Sequence, residues 1–420
     1  MTKKYLKTLV LGAAATAALG AANTHAQSAD AIISKLVEKG ILTTQEAQDL
    51  TKESDKDFSH AFLKNTGMAD WVEALKFNGD FRGRMDYQGS SNGAVVDRTR
   101  WRYRVRAGVT AKLADDFEVN LTLGSGDGNP LSNNQTLQSN GTKKSIWVDK
   151  AYAKWSPIHG GDWTLSSTIG KMGNPFEASP MLFDPDYTPE GAALQVGYKI
   201  NDQHSLKFNG AAFVLDELSG STHDPYMVGG QAIWNAKWTS RFESSVGISA
   251  YSVGSDEKLA AGLHNGNSGN TVQGNFNPYV ISGSVTYKID NFPLYKGTCP
   301  IKLAGEYMEN PSVSSNNQGY WIGGTIGKSG KRGLWDLSYR YQRLEADAWF
   351  DGFVDDDNVA YVSGAGLAHG TNIKGHLVKL NYSITDALTF TLTGYFNELI
   401  NGGPSDNSGT HIMADLMWKF

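Results

Sequence analysis

The sequence has little of what marks several other classes of protein. It contains one cysteine, Cys299, which excludes an internal disulfide framework and a cysteine-rich metal site. The formal net charge is −5, whereas nucleic-acid-binding proteins usually carry a basic excess. Only 12 of the 420 residues are proline, but 47 are glycine, and there are 11 Trp, 18 Tyr and 17 Phe. Aromatic and glycine enrichment without long apolar runs favours β-structure with many turns.

The first 26 residues have the pattern of a secretory signal. Lys3, Lys4 and Lys7 precede a small, apolar stretch over residues 9–22, and Thr24-His25-Ala26 follows with small residues at the cleavage positions. The stretch is too short to span a membrane as a helix. We therefore expect cleavage before Gln27 and export from the cytoplasm; a buried N-terminal helix is the alternative.

Residues 27–75 are predicted to form a short helical segment and linker in the periplasm. Apolar residues recur at helical spacing over residues 32–37, and Thr43 and Glu46 are spaced as a capping box that opens a second helix. So small a unit cannot bury much core of its own. It is either a spacer or an element for oligomerisation or cell-wall contact.

From residue 76 to residue 420 the apolar period is two, which is the period of a β-strand. About ten residues per strand, tilted near 40°, rise about 25 Å, which matches the apolar band of an outer-membrane barrel. The fold class predicted is therefore all-β, a transmembrane antiparallel β-barrel of about 16 strands. These strands are predicted near residues 77–87, 100–113, 117–123, 146–155, 163–171, 192–200, 205–215, 225–238, 241–252, 278–289, 300–309, 319–327, 334–344, 374–384, 388–397 and 410–420.

Parity alone cannot separate a membrane barrel from a soluble sandwich, which would show the same alternation, but the signal pattern, the loop lengths and the strand number can. Short and long connections alternate along the chain, as do the periplasmic turns and external loops of outer-membrane barrels. An even number of strands would place both ends of the barrel in the periplasm. On the apolar parity, away from strand ends, we find one charged residue, Asp149, and a charge facing lipid is unfavourable.

Several stretches resemble the putative porin family of Gram-negative bacteria. They are the final strand ending in Phe420 and the segments 36–43, 79–84, 173–176, 182–191 and 339–348. The resemblance covers nearly the whole chain after the signal and implies a general-porin-like, 16-stranded pore for passive diffusion in the cell outer membrane. It implies a homotrimer, Phe420 as the assembly signal, and the barrel-assembly machinery, lipid and lipopolysaccharide as partners.

An arginine ladder dominates the polar parity of the first hairpin. Alternate residues of one strand lie about 7 Å apart on the same face. Guanidinium groups grip carboxylate or phosphate as a planar fork, so such a wall would favour anions. The alternative is that the arginines simply pair with acids across the barrel, Asp80 and Asp86 among them. The predicted pore-lining residues are Arg82, Arg84, Arg98, Arg100, Arg102, Arg104, Arg106 and Arg340.

The third external loop by our count, residues 172–190, is the candidate constriction. It carries Glu177, Asp184, Asp186 and Glu190 and is stiffened by four prolines. If it folds inward, as it does in general porins, its acids would set a transverse field against the arginine wall. The alternative is a loop that caps the mouth or packs on a neighbouring subunit.

No constellation in the sequence predicts catalysis or a bound cofactor. The run Asp355-Asp356-Asp357 is interpreted as a solvated face, because a calcium site needs six or more ordered oxygens. The histidines show no close metal-ligand spacing, and no Gly-Xaa-Ser-Xaa-Gly elbow occurs. We therefore predict a porin without metal or cofactor that passes small hydrophilic solutes or ions, with an anion preference. A protein that tethers the envelope and, less favoured, a barrel enzyme are the alternatives.

Overall fold

The computed structural model describes residues 43, 46, 67–259, 267 and 276–420. The expected signal over residues 1–26 and most of the helical segment lie outside the described residues. At the two described positions of that segment the capping box is formed. The Thr43 amide donates to Glu46 Oε2 at 2.8 Å and the Glu46 amide donates to Thr43 Oγ1 at 3.2 Å. The chain divides into two compact units, residues 1–75 with 111–114, and residues 76–110 with 115–420.

Sixteen long antiparallel strands are present, and each corresponds to a predicted one, so the fold class is confirmed. They are β1 (Val72–Gly89), β2 (Arg98–Leu113), β3 (Phe117–Gly124), β4 (Trp147–Ile158), β5 (Trp163–Lys171), β6 (Glu190–Lys199), β7 (His204–Val214), β8 (Tyr226–Lys237), β9 (Phe242–Gly254), β10 (Tyr279–Ile289), β11 (Cys299–Glu309), β12 (Gln318–Gly327), β13 (Trp335–Leu344), β14 (Ile373–Ser383), β15 (Leu388–Leu399) and β16 (Gly409–Lys419). A two-residue strand, Gln135–Thr136, pairs with β2, and Val359–Val362 pairs with Gly366–His369 as a separate hairpin.

The sheet closes because β1 pairs with both β2 and β16. At the seam Phe81 lies opposite Trp418, and their ring centroids are 5.8 Å apart. Gly79 and Phe420 exchange backbone hydrogen bonds of 2.9 and 3.1 Å. A Cβ at Gly79 would meet the Phe420 ring and the Arg106 carbonyl, so only glycine fits there. Closure leaves no sheet edge to be satisfied inside a membrane.

The alternation of apolar and polar residues sorts the side chains to the two faces of the barrel. Leu121 and Ile322 point outward and are 44% and 65% exposed, while inward-facing Asn120 and Glu306 are 6% and 7% exposed. Within the described residues no helix is long and apolar enough to cross a membrane.

Asp149 is not the outward-facing charge that strict alternation predicts. On β4, Lys150 lies opposite Thr122 and Val148 lies opposite Leu123, so Asp149 is the extra residue of a β-bulge. The bulge turns its side chain inward, where Asp149 is 5% exposed and accepts a hydrogen bond of 2.8 Å from Asn133.

Seven connections of three to nine residues join the strands at one end of the barrel, and eight connections of eight to 28 residues join them at the other. Two of these loops, L3 (residues 172–189) and L7 (residues 345–372), carry large side chains that are almost fully buried, such as Met181 and Trp349. They pack against apolar residues from the strands that surround them. These strand residues are Phe213, Met227, Tyr251, Val253, Val280, Met308 and Leu344. The main apolar core therefore lies inside the barrel and is made by L3, L7 and the inner faces of β7–β13.

Candidate functional site: a charged lumen beside two inward loops

Arg100 and Arg102 of the ladder converge on one acid, Asp86 of β1. Arg100 Nη2 and Arg102 Nη1 lie 3.0 and 3.2 Å from Asp86 Oδ2. His411 of β16 adds a contact of 3.2 Å from Nε2 to Asp86 Oδ1. The Asp86 side chain has no exposed surface. Because the charge is buried, its ion pairs are needed to keep it in the fold.

Lower on the ladder, Arg104 and Arg106 share two acids from different parts of the chain. Arg104 Nη2 lies 2.9 Å from Asp80 Oδ1, and Arg106 Nε lies 2.8 Å from Asp80 Oδ2. Both arginines also reach Asp186 of L3, at 2.9 and 3.4 Å. L3 is thus tied to the barrel wall through Asp186.

Arg82 and Arg84 of β1 face β16 across the seam. Arg84 forms a bidentate pair with Asp415, at 2.8 and 2.9 Å, and its Nη1 lies 3.5 Å from Asp357 of L7. Arg82 donates to the Asn134 amide oxygen at 2.6 Å and lies 4.0 Å from Asp415. The fork of Arg84 matches the carboxylate geometry that planar guanidinium groups prefer.

Six arginines of the predicted ladder therefore have carboxylate partners. Arg98, at the loop end of β2, is exposed and has no ion pair among the described residues. The arrangement is the one anticipated as the alternative, in which lumen arginines pair with acids. An ion-paired wall carries alternating charge and only a small net charge, so this ladder by itself is a weak attractor of anions.

The four acids predicted at the constriction are placed in three different settings. Asp186 faces the ladder, as described above. Glu177 pairs with Lys207 and Glu190 pairs with Lys171 at 3.1 Å, and both glutamate side chains are more than half exposed. Asp184 is 5% exposed and lies at the contact between L3 and L7, away from the ladder.

The interpretation of Asp355-Asp356-Asp357 as a solvated face is wrong. L7 folds into the lumen and brings all three acids against other side chains. Asp355 accepts a hydrogen bond of 2.8 Å from the Tyr395 hydroxyl, and Asp357 faces Arg84. The Asp356 amide donates to Asp184 Oδ2 at 3.2 Å. Sequence reasoning missed these acids because the partners that bury them are distant in the chain.

Burial and neighbouring charges shift the pKa values of the acids between L3 and L7. Burial, together with the neighbouring carboxylates of Asp355 and Asp356, raises the pKa of Asp184 well above its usual value. Burial and the charges of Asp357 and Asp355 likewise raise the pKa of Asp356 well above its usual value. Burial also acts on Asp357, but Arg84 and His411 outweigh it, so its pKa is lowered.

Within the described part of the chain, Asp184, Asp355 and Asp356 form the group that could offer oxygens to a cation. One carboxylate oxygen from each lies within 4.8 Å of the others. Three such ligands fall short of the six to eight oxygens that calcium takes. We therefore assign no metal site to this cluster.

Backbone and aromatic contacts hold the two loops together. The Asp184 amide donates to the Phe353 carbonyl at 2.7 Å, and Trp349 Nε1 donates to the Leu182 carbonyl at 2.8 Å. The Phe183 ring lies 5.8 Å from the Trp349 ring and 5.6 Å from the Phe353 ring. L3 and L7 behave as one packed body on the inner wall.

An open cavity of about 750 Å³ remains in the lumen between this body and the barrel wall. Arg82, Arg84, Arg104 and Arg106 line one side, together with the acids of L3 and L7. Arg340 of β13 and two lysines, Lys302 and Lys379, line the side formed by β11–β14. Alternation along those strands places both lysines on the inward parity, but nothing in the sequence distinguishes them from lysines that form ion pairs.

Comparison with known proteins decides the family. The sequence matches the family described as "Putative porin" over residues 89–295 and 302–420. The chain belongs to this porin family. No curated protein sequence matches the porin significantly.

Solved structures similar to this porin include Pseudomonas putida OprB in a high-pH structure. The similarity to OprB has a TM-score of 0.52 at 12% identity and covers 82% of this chain and 94% of OprB, which shows a shared fold. Engineered variants of a Rh. blastica porin match over 82% of this chain and all of theirs, for example with a TM-score of 0.44 at 10% identity. Family and fold together make this protein an outer-membrane porin for passive diffusion.

Proposed function

We propose that this porin conducts small hydrophilic solutes with a preference for anions. The observation that carries the proposal is the composition of the cavity lining, which has eight cationic and six acidic side chains. The lining thus has two more cationic than acidic side chains, which favours a positive local potential. Permeation responds to this local potential, and not to the net charge of the chain.

The reversal potential in a planar bilayer with a salt gradient tests this proposal. We expect the reversal potential to have the sign that indicates higher permeability to anions than to cations. Asp186→Asn should increase the preference, because it removes a lumen charge while Asp80 still holds Arg104 and Arg106. A reversal potential of the opposite sign in the unmodified porin would contradict the anion preference without affecting the porin assignment.

We also propose that the porin assembles as a homotrimer through the outer face of β6–β8. Small residues stand between the large apolar ones there: Ala192 lies opposite Ala212, and Gly210 lies opposite Gly230. The result is a shallow groove that allows close approach of a second barrel. Mass measurement in mild detergent should give three chains, and Gly210→Phe should give monomers.

Phe420 is proposed as part of the assembly signal. Its backbone bonds to Gly79 and its ring lies over that glycine, so it completes the seam between β1 and β16. Phe420→Ala should lower the yield of heat-modifiable, folded barrel while export of the chain continues. Normal yields of the variant would contradict this role.

The first 75 residues are proposed to be an export signal, residues 1–26, and a periplasmic segment. N-terminal sequencing of the mature protein should begin at Gln27. Deletion of residues 27–56 should leave conductance intact, whereas an envelope defect with normal conductance would favour a tethering role for that segment.

A further inference from the structure

Arg340 is a buried cation whose donors are unused. Its side chain is 9% exposed, it borders the lumen cavity, and its Nε and Nη2 make no hydrogen bond within the described part of the chain. The Trp321 ring lies beneath it, 5.9 Å from the guanidinium carbon. Leaving buried charged donors unpaired is unfavourable, because they lose their hydrogen bonds to water without replacement. Such a group indicates that something else binds there.

The carboxylates nearest to Arg340 already have other partners. Glu306 accepts hydrogen bonds from Ser179 Oγ and from Trp321 Nε1. Asp355 accepts one from the Tyr395 hydroxyl. Neither forms an ion pair with Arg340 among the described residues, although both lie close enough to moderate its positive potential.

Two lysines without ion pairs in the described residues border the same stretch of wall. Lys379 of β14 lies diagonally from Arg340, because Arg340 is opposite Leu377 and Ser338 is opposite Lys379. Diagonal neighbours of this kind have their Cβ atoms about 7 Å apart. Lys302 stands in the same row, three strands along: it lies opposite Thr325, which lies opposite Ser338. The row spans about 14 Å at the usual strand spacing, and hydroxyl groups stand between the lysines.

We propose that Arg340, Lys379 and Lys302 form a binding subsite for the oxyanion of a permeating solute, a carboxylate or a phosphate. The inference deepens the proposed function and rests on it. The two free N–H groups of Arg340 match the two oxygens of either anion. Lys302 and Lys379 stand at the two ends of the row. Their flexible, charged side chains can receive the anion and release it further along the pore. The ladder on the other side of the lumen cannot do this, because its guanidinium groups already hold Asp80, Asp86, Asp186 and Asp415.

Binding at this subsite must be weak. Conduction needs a site that is favourable enough to fill and weak enough to empty. Glu306 and Asp355, near Arg340, supply the opposing charge that limits affinity. We therefore expect saturation of flux at millimolar solute and no stable complex.

Ion-current block in planar bilayers tests the subsite, with succinate and inorganic phosphate as separate probes. Each anion should reduce the chloride current in a saturable way. Arg340→Gln should raise the half-blocking concentration about tenfold or more, the effect expected for a lost charge-assisted pair. Lys302→Gln with Lys379→Gln should raise it less. Lys237→Gln is the matched control, because Lys237 is an inward-facing lysine of β8 on the other side of the barrel.

Arg340→Lys covers the case in which Arg340→Gln does not fold. This variant keeps the positive charge and loses the planar guanidinium group. It should conduct normally, and the added anion should block it at a higher half-blocking concentration. The anion with the lower half-blocking concentration identifies the preferred class. The inference is overturned if a conducting pore shows no saturable block, or if Lys237→Gln weakens block as much as Arg340→Gln. A porin that forms no conducting channel at all would instead overturn the proposed function.

Discussion

The two sides of the lumen are built in opposite ways. On the side of β1, β2 and β16, six buried or partly buried arginines lie beside acids, and each charge is paired with another. On the side of β7–β13, apolar residues such as Phe213 and Met308 face inward and are covered by L3 and L7. One side is stabilised by ion pairs and the other by the packing of two loops. The comparison predicts that charge substitutions should harm assembly on the first side, and that cavities should loosen the loops on the second.

Asp86→Ala should have the largest effect. The substitution removes the carboxylate that Arg100, Arg102 and His411 contact. Removing one partner of a buried ion pair destabilises the folded state by about 3–5 kcal/mol. The folded, heat-modifiable form should fall sharply in yield. Glu177→Gln is the control, since its pair with Lys207 is half exposed and contributes less than about 1 kcal/mol. Equal yields of the two variants would show that the ladder is not structural.

Leu182→Ala should act on the loops and leave the barrel intact. The side chain is 1% exposed, and truncating a buried leucine costs about 2–5 kcal/mol. Because L3 is not part of the sheet, we expect normal yield and unfolding of the barrel, with larger or noisier single-channel current. Leu121→Ala, on the outward face of β3, should leave the current unchanged. If the single-channel current of Leu182→Ala has the same size and noise as that of the unmodified porin, L3 does not border the conducting path.

A smaller effect should follow from pH. The raised pKa values of Asp184 and Asp356 mean that the folded contact between L3 and L7 binds more protons than the unfolded chain. That contact is therefore strongest below the usual aspartate range and weakens as pH rises through the raised values. We expect current noise to grow as the pH rises from below the usual aspartate range through these raised values, and Asp356→Asn to suppress the change. Asp357 has the opposite shift, so its stabilising ionised form is retained as the pH rises through these values.

The strands could be predicted from sequence because their signal is local. A period of two needs only neighbouring residues, and all sixteen strands were found in this way. The bulge at Asp149 could not be predicted, because one extra residue reverses the inward and outward parity of the strand without changing its composition. The partners of the arginines could not be predicted for a different reason. Arg104 and Asp186 are 82 positions apart, and the residue pattern of a single strand does not show which distant segment it will contact. L7 was missed as part of the lumen because buried acids and solvated acids look alike in a sequence.

The seam between β1 and β16 has a consequence for the order of folding. Arg84 and Asp415 are 331 positions apart, and every backbone bond across that junction is equally remote in sequence. Contacts of such long range form slowly, because the chain loses the entropy of closing a long loop before the first hydrogen bond across the seam can form. Until β16 docks, β1 exposes unpaired amides and carbonyls that a bilayer cannot solvate. A chain that lacks β16 cannot close the sheet, so we expect membrane insertion to depend on the docking of this strand.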